Sequence, residues 1–133
     1  MALRVELVSP ERILYSGEAE MVIVRTLGGG EIAFMPGHAP FVGALAIATA
    51  TLRTPQGDEL VAVHGGFVEV SNDTVTILSD VAELASQIDV ERAQRAKERA
   101  EERLRAARDA EAEAALRRAL IRLQTAGNLA AVS

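Results

Sequence analysis

Apolar and polar residues alternate with a period of two in the first half of the chain. The alternation is clearest at 3–7 and 46–53, and it is typical of a half-buried β-strand. Further strands are predicted at 13–15, 21–26, 60–63, 67–70 and 75–78. The segment 21–26 is apolar enough for burial on both faces. Pro55 and Gly57 mark one turn, and Ser71-Asn72-Asp73 marks the turn of a hairpin. Many short strands joined by turns predict a sandwich or a barrel.

The apolar period changes to three and four residues in the second half. One stripe comprises Val90, Ala93, Lys97, Ala100, Leu104 and Ala107, and another comprises Leu116, Ala119 or Leu120, and Leu123. These spacings predict two helices joined by a turn within 106–110, with Gly127 just beyond the second helix. All four prolines lie at or before position 55, and nine of the ten glycines lie at or before position 66. The chain is therefore divided into a strand-rich domain, 1–84, and a helical hairpin, 85–133.

No glycine or proline marks the predicted turn between the helices. Residues 90–125 are therefore also compatible with one continuous helix, about 54 Å long. The stripe of the hairpin is largely alanine, which buries little apolar area at ~25 cal/mol per Å². We therefore expect a weakly docked hairpin that can straighten. A solvated coiled coil without such a switch is the alternative that stays open.

Charge is distributed unevenly along the chain. Residues 1–84 contain four Arg and eleven Asp or Glu, a net −7, whereas residues 85–133 contain ten Lys or Arg and eight acidic residues, a net +2. An acidic strand domain argues against nucleic acid binding, because phosphate neutralisation needs a basic surface. The absence of cysteine excludes disulfides and thiolate sites. We expect neither direct membrane insertion nor a signal peptide, because no run of ~18 apolar residues is present.

The segment 30–40 is the most distinctive part of the strand-rich half. It predicts a short strand followed by a rigid, exposed Pro-Gly-His-x-Pro loop, and it contains Glu31 and His38. One Glu and one His are compatible with a metal site or an acid–base pair. No cluster of further ligands accompanies them, so a loop that docks a partner is favoured, and no catalytic or metal-binding residue is predicted.

Two other glycine clusters have structural interpretations. Gly28-Gly29-Gly30 lacks the Lys-Ser/Thr pair of a P-loop and is interpreted as a connection between strands. Gly65-Gly66 indicates a bulge or a close approach of two backbone segments.

The start of the helical half has the pattern of a helix N-terminus. Asp89 is a natural N-cap, and Ile88 is placed to pack on Ala93. Arg92 has no such role, because a cation in the first turn opposes the helix dipole.

Four arginines share faces of the two predicted helices. Arg92 and Arg99 lie two turns apart on the first, and Arg118 and Arg122 lie one turn apart on the second. In a hairpin these guanidinium groups can converge on a polyphosphate, to which arginine makes bidentate contacts. Arginines that are simply solvated are the alternative.

Three motifs and their order resemble the epsilon subunits of bacterial-type rotary ATP synthases. They are G-E-x-x-x-x-P-G-H-A-P at 30–40, G-G-F-x-E-V at 65–70 and V-T-I-L at 75–78, and the resemblance covers nearly the whole chain. It implies an N-terminal antiparallel β-sandwich followed by a C-terminal antiparallel two-helix hairpin. It also implies a non-catalytic central-stalk subunit of a proton-translocating ATP synthase, which couples c-ring rotation to the catalytic head.

The resemblance further implies partners and a location. The sandwich contacts the gamma subunit and the c-subunit ring, with Glu31 and His38 in the loop that faces the ring. The helices can extend into the alpha/beta catalytic head and inhibit ATP hydrolysis, and Arg117, Arg118 and Arg122 then meet acidic surfaces there. The subunit is peripheral, on the cytoplasmic face of the cell membrane.

Some members of this family bind ATP on the folded hairpin through an I/L-D-x-x-R-A motif. Ile88, Asp89, Arg92 and Ala93 match this motif, and the resemblance adds Glu83, Arg99, Arg118 and Arg122 as contacts. ATP, with or without Mg²⁺, is thus expected as a regulatory ligand, and no cofactor is required.

Two other classes of protein stay open from the residues alone. A small enzyme using His38 and Glu31 predicts both groups in one buried polar pocket. A β-sandwich adaptor with a coiled-coil arm predicts a partner other than an ATP synthase.

Overall fold

The computed structural model describes residues 2–127. The strands are β1 (Leu3–Val8), β2 (Ile13–Ala19), β3 (Met21–Thr26), β4 (Gly30–Phe34), β5 (Phe41–Thr54), β6 (Gly57–Ser71), β7 (Thr74–Leu78) and β8 (Ala82–Leu84). A short 3-10 helix (Ala85–Gln87) leads into α1 (Val90–Ala106) and α2 (Ala110–Thr125). Every predicted strand segment lies within an observed strand, whereas β8 was not anticipated.

The strands form one sheet in the order β2-β1-β7-β6-β5-β3-β4, with β8 added to β6. All pairs are antiparallel except β1 and β7, which run parallel. The sheet folds over an aliphatic core that includes Leu3, Leu7, Val22, Leu52, Val61, Val68 and Ile77, with Phe34 as its fully buried aromatic residue. The expected β-sandwich followed by a two-helix hairpin is confirmed.

The two longest strands, β5 and β6, pair along nearly their whole length. The prediction of separate strands at 60–63 and 67–70 was wrong, because Gly65 and Gly66 continue the strand with φ angles of +87° and +114°. The buried side shifts by one residue at this point: Val61 and Val63 face the core before it, and Val68 and Val70 face it afterwards. A Cβ on Gly66 would lie 2.0 Å from the Leu78 carbonyl oxygen, which confirms the close backbone approach.

Burial on both faces of β3 was predicted and is not observed. Val22 and Val24 are buried, whereas Met21 and Ile23 are half-buried and Arg25 is exposed. The reason is tertiary, since the helices cover mainly β5 and β6 and leave the outer face of β3 partly open.

The predicted turn at 106–110 is confirmed, and the hairpin rather than one continuous helix is observed. Asp109 replaces the missing glycine or proline by capping α2: its Oδ1 accepts hydrogen bonds from the backbone N–H groups of Glu111 and Ala112 at 3.0 and 3.2 Å. The bond from Arg103 holds the pKa of Asp109 below its usual range. Gly127 follows α2 with a φ of +77°, as expected of a residue just beyond a helix C-terminus.

α2 lies on β5 and β6, and α1 packs mainly against α2. The side chains buried in the helices are small apart from Leu123: Ala93, Ala100, Ala112, Ala119 and Thr125. Thr125 shares a hydrogen bond with Thr49 of β5, with 2.8 Å between the hydroxyl oxygens. Within residues 2–127, the helices are all too short or too polar to cross a membrane.

Candidate functional site

A polar cavity of about 330 Å³ lies where the helical hairpin meets the end of the strand domain. Its lining comes from β8, the 3-10 helix, the N-terminal half of α1, and α2. The lining residues are Glu83, Gln87, Asp89, Arg92, Ala93, Ala96, Arg99 and Arg122. Three guanidinium groups against two carboxylates make the site formally cationic, so the polar cavity suits an anion.

Local structure at the start of α1 fixes one wall of the polar cavity. The Asp89 side chain accepts a hydrogen bond from the Arg92 backbone N–H at 3.1 Å, which confirms Asp89 as the N-cap. Ile88 and Ala93, the expected apolar pair, are both buried. Because Arg99 lies seven residues after Arg92, the two share one helix face and line the same wall.

An ion pair across the polar cavity joins the two parts of the chain. Arg122 Nε donates to Glu83 Oε1 at 2.6 Å, and both side chains are about one quarter exposed. Glu83 is held by pairing of β8 with β6, whereas Arg122 belongs to α2. This charge-assisted bond therefore exists only while the helices are docked.

His64 lies behind this ion pair, on β6. Its side chain is 2% exposed, and its Nε2 is 3.4 Å from Glu83 Oε1 without the alignment of a hydrogen bond. Within residues 2–127, neither ring nitrogen has a hydrogen-bond partner. Burial and then the charge of Arg122 lower the pKa of His64, against an opposing effect of Glu83. The ring is therefore neutral at pH 7.

Most of the predicted nucleotide contacts are brought together. The polar cavity includes Glu83, Asp89, Arg92, Ala93, Arg99 and Arg122. Ile88 is buried and does not contribute to the lining, and the Arg118 side chain donates instead to Glu111 at 2.9 Å. A nucleotide-binding role for all eight stays a prediction.

Sequence reasoning missed Gln87, Ala96 and His64 as neighbours of this site. Ala96 follows Arg92 by one helical turn, so helical spacing was a sufficient signal for it. Gln87 accepts a hydrogen bond from the Leu84 N–H at 3.0 Å, a local turn contact with no distinctive pattern. His64 reaches the site only through tertiary pairing of β6 with β8.

Arg117 lies on a different face of α2. It lines a second groove, about 580 Å³, together with Arg25 and Glu31 of the strand domain. In the docked hairpin, Arg117 and Arg122 therefore face different grooves, and their contact with a catalytic head stays a prediction.

Glu31 and His38 are not close partners. Glu31 is exposed on β4, and its Oε2 lies 4.0 Å from Nη2 of Arg25. His38 packs edge-on against Phe34, with the ring centres 4.9 Å apart. Among the ion pairs of the described chain, none joins Glu31 to His38, and residues 2–127 contain no group of three His, Cys, Asp or Glu side chains placed to hold a metal. The loop itself is anchored by a 2.7 Å hydrogen bond from the Gly37 N–H to Asp73.

Two family models match the chain in succession. The model described as ATP synthase, Delta/Epsilon chain, beta-sandwich domain matches residues 2–85, and the corresponding long alpha-helix domain matches residues 86–127. A solved structure of the Euglena gracilis mitochondrial ATP synthase, comprising OSCP, F1 and c-ring, contains a chain with a TM-score of 0.67 at 24% identity, over 96% of this chain and 79% of that one. A chain in the central stalk and c-ring structure of the Tetrahymena thermophila enzyme gives a TM-score of 0.51 at 16% identity, over 70% of each chain. These structures show that the fold is shared.

Curated relatives share more sequence identity with this chain than these two structures do. The ATP synthase epsilon chain of Halalkalibacterium halodurans is 48% identical over 130 residues, covering 94% of this chain and 97% of the relative. The epsilon chain of Brevibacillus brevis is 56% identical over 104 residues, or 77% of each chain. The same family is thus indicated by the motifs at 30–40 and 65–70, by the fold and by identity over nearly the full length. This chain belongs to the family of ATP synthase epsilon chains.

Proposed function

We propose that the chain is a non-catalytic central-stalk subunit that couples c-ring rotation to catalysis in a proton-translocating ATP synthase and inhibits ATP hydrolysis through α1 and α2. The sandwich contacts the gamma subunit and the c-ring, the helices reach the alpha/beta head, and the chain is peripheral at the cytoplasmic face of the cell membrane. ATP, with or without Mg²⁺, is the regulatory ligand. The observation that carries the regulatory part is the arginine-lined polar cavity, to which the strand domain and both helices contribute.

Weak attachment of the hairpin supports a switch. The surface that α2 places on the sheet is mostly alanine, with Leu123 as its fully buried large side chain. Small side chains bury little apolar area, so hydrophobic docking is weak at ~25 cal/mol per Å². The Arg122–Glu83 and Thr125–Thr49 contacts supplement it. An element held by so few contacts can exchange between docked and extended arrangements.

An anion in the polar cavity stabilises the docked arrangement. Arg92 and Arg99 come from α1, Arg122 comes from α2, and the opposite wall is part of the strand domain. A polyphosphate that contacts all three elements binds the docked form better than an extended one, in which they separate. ATP therefore shifts the population away from the inhibitory form by its differential affinity.

Replacement of Arg92 by alanine is expected to weaken MgATP binding by about 10- to 100-fold, because a charge-assisted contact contributes ~1.5–3 kcal/mol. Isothermal titration calorimetry of the full chain measures the affinity. Arg95→Ala is the matched control, since Arg95 is an exposed arginine of α1 outside the polar cavity. The nucleotide proposal fails if wild type gives no heat up to millimolar MgATP, or if Arg92→Ala binds as wild type does.

An apolar surface on the strand domain supports the contact with a protein partner. Val42, Phe67 and Leu78 are 69%, 57% and 45% exposed. Phe67 of β6 is paired with Leu78 of β7. Val42 of β5 is paired with Glu69, which lies on the same face of β6 as Phe67, two residues further along. Large exposed apolar residues on an otherwise acidic domain are typical of a protein interface. We assign this surface to the gamma subunit.

Phe67→Asp is expected to weaken association with gamma at least about tenfold, as burial of a charge at an interface centre does. Surface plasmon resonance with a purified gamma subunit measures the affinity. Ile13→Asp, at an equally exposed apolar residue on β2, is the matched control and should bind normally. Equal binding by Phe67→Asp and wild type would remove this surface from the proposed interface.

A further inference from the structure

We propose that His64 takes up a proton when a polyphosphate anion binds in the polar cavity, so that ligand binding and pH are coupled in the docked chain. The inference rests on the proposed nucleotide binding and adds a regulator to that site. His64 is not part of the cavity lining, and it acts through Glu83 as a positioning residue.

One oxygen atom connects the two sites. Glu83 Oε1 accepts from Arg122 Nε at 2.6 Å and lies 3.4 Å from His64 Nε2. Arg122 also lines the polar cavity, so an anion that contacts its guanidinium group competes with Glu83 for it. Glu83 is only 28% exposed, and a carboxylate that loses its cation in a partly buried place gains strongly from a new one. His64 is the basic group already beside that oxygen.

The chemistry of the imidazole ring fits this exchange. A neutral imidazole has one N–H, whereas its protonated form has two and can donate from both nitrogens. A proton taken from solvent gives Nε2 a hydrogen to donate to Oε1 and converts the present 3.4 Å approach into a charged hydrogen bond. Arg122 then pairs with the anion, and the protonated His64 takes its place as the cation beside Glu83.

Anion binding changes the influence of the arginines and of Glu83 on the pKa of His64 in the same direction. Glu83 from β8 and Arg122 and Arg118 from α2 act on the charge of His64, Asp80 lines a groove together with it, and Arg92 and Arg99 line the polar cavity. Arg122 and Arg118 lower the pKa of His64, and Glu83 raises it. An anion offsets the arginine charges and releases Glu83, so both changes raise the pKa of His64 on binding.

The sign of the pH dependence differs with and without ligand. Without ligand, the pKa of His64 is lower in the docked form than its ordinary value of about 6.5. The contribution of His64 to docked-state stability is therefore fully present above about pH 6.5, and it is lost as the pH falls towards the docked-state pKa. With ligand, the bound form holds more protons than the free form, so affinity rises as the pH falls. The increase in the His64 pKa on binding is expected to make the affinity about two- to fivefold tighter at pH 6 than at pH 8.

The test is calorimetric titration of the full chain with MgATP at pH 6.5 in two buffers of different ionisation enthalpy. Wild type is expected to take up about 0.3–0.5 proton per bound ligand, and His64→Gln none. His38→Gln is the matched control, because His38 is the other histidine of the chain and should leave the uptake unchanged. Binding without proton uptake overturns the inference and leaves nucleotide binding intact, whereas no binding at all overturns both.

A second measurement needs no ligand. In Arg122→Gln, a cation that lowers the pKa of His64 is lost while Glu83 stays beside the ring, so the NMR-measured pKa of His64 is expected to rise above its wild-type value. The double variant Glu83→Gln/Arg122→Gln should lower it again, because Glu83 is the group that raises this pKa. An unchanged His64 pKa in Arg122→Gln, or equal pKa values in the single and double variants, rejects the coupling.

Discussion

Replacement of Gly66 by alanine is expected to destabilise the chain by at least about 3 kcal/mol. The φ of +114° at Gly66 is a conformation that L-residues rarely adopt, and an added Cβ would lie 2.0 Å from the Leu78 carbonyl oxygen. That oxygen belongs to the backbone, so relief requires β6 and β7 to move apart. Urea unfolding followed by circular dichroism measures the change in midpoint and in free energy of unfolding.

Gly65→Ala provides the matched control for this prediction. Its φ of +87° is also positive, but the nearest atom to the added Cβ, the Leu45 carbonyl oxygen, is 3.9 Å away. The control therefore carries backbone strain without the collision, and a cost of about 1–2 kcal/mol is expected. Equal costs at the two positions would contradict the close approach between β6 and Leu78.

The Gly65–Gly66 step also determines where functional side chains lie. Because the buried side of β6 shifts by one residue here, His64 before the step faces the helices, and Phe67 after it lies on the outer face. A single backbone feature thus keeps both His64 and Phe67 off the core side of β6. Damage to this step is expected to affect both.

Local chemistry explains what the sequence could predict. Alternation located the strands, and Ser71-Asn72-Asp73 gave the hairpin between β6 and β7, where Asn72 and Asp73 have positive φ angles of 50° and 58°. Asp89 was recognised as an N-cap because its contact with the Arg92 backbone is only three residues distant. Each of these features depends on neighbours in the chain.

Tertiary contacts explain what the sequence could not predict. The single buried face of β3 depends on which strands the helices cover, which no property of 21–26 specifies. His64 lies 19 residues before Glu83 and 58 before Arg122, and its burial arises only after β8 and α2 are in place. The family motif identified most of the polar cavity, yet it contained no information about the group behind Glu83.

A disulfide between positions 49 and 125 is expected to abolish inhibition of ATP hydrolysis, because it holds the helices in the docked, non-inhibitory form. The hydroxyl oxygens of Thr49 and Thr125 are 2.8 Å apart, and each is one bond from its Cβ, so Thr49→Cys/Thr125→Cys places two sulfurs within bonding reach. The native chain has no cysteine, so no competing disulfide forms. Oxidation ties α2 to β5, and the helices can no longer extend.

The measurement is ATP hydrolysis by a reconstituted complex that contains the double-cysteine chain, before and after reduction. If at least half of the complexes hold the extended, inhibitory form, locking the hairpin raises the rate at least about twofold, and reduction restores the inhibited rate. Each single-cysteine variant is a control that should not respond to oxidation. The oxidised chain should also bind MgATP at least as tightly as the reduced one, because its binding-competent form is fully populated. Hydrolysis that is equally inhibited with the crosslink formed would show that release of the hairpin is not how this chain inhibits ATP hydrolysis.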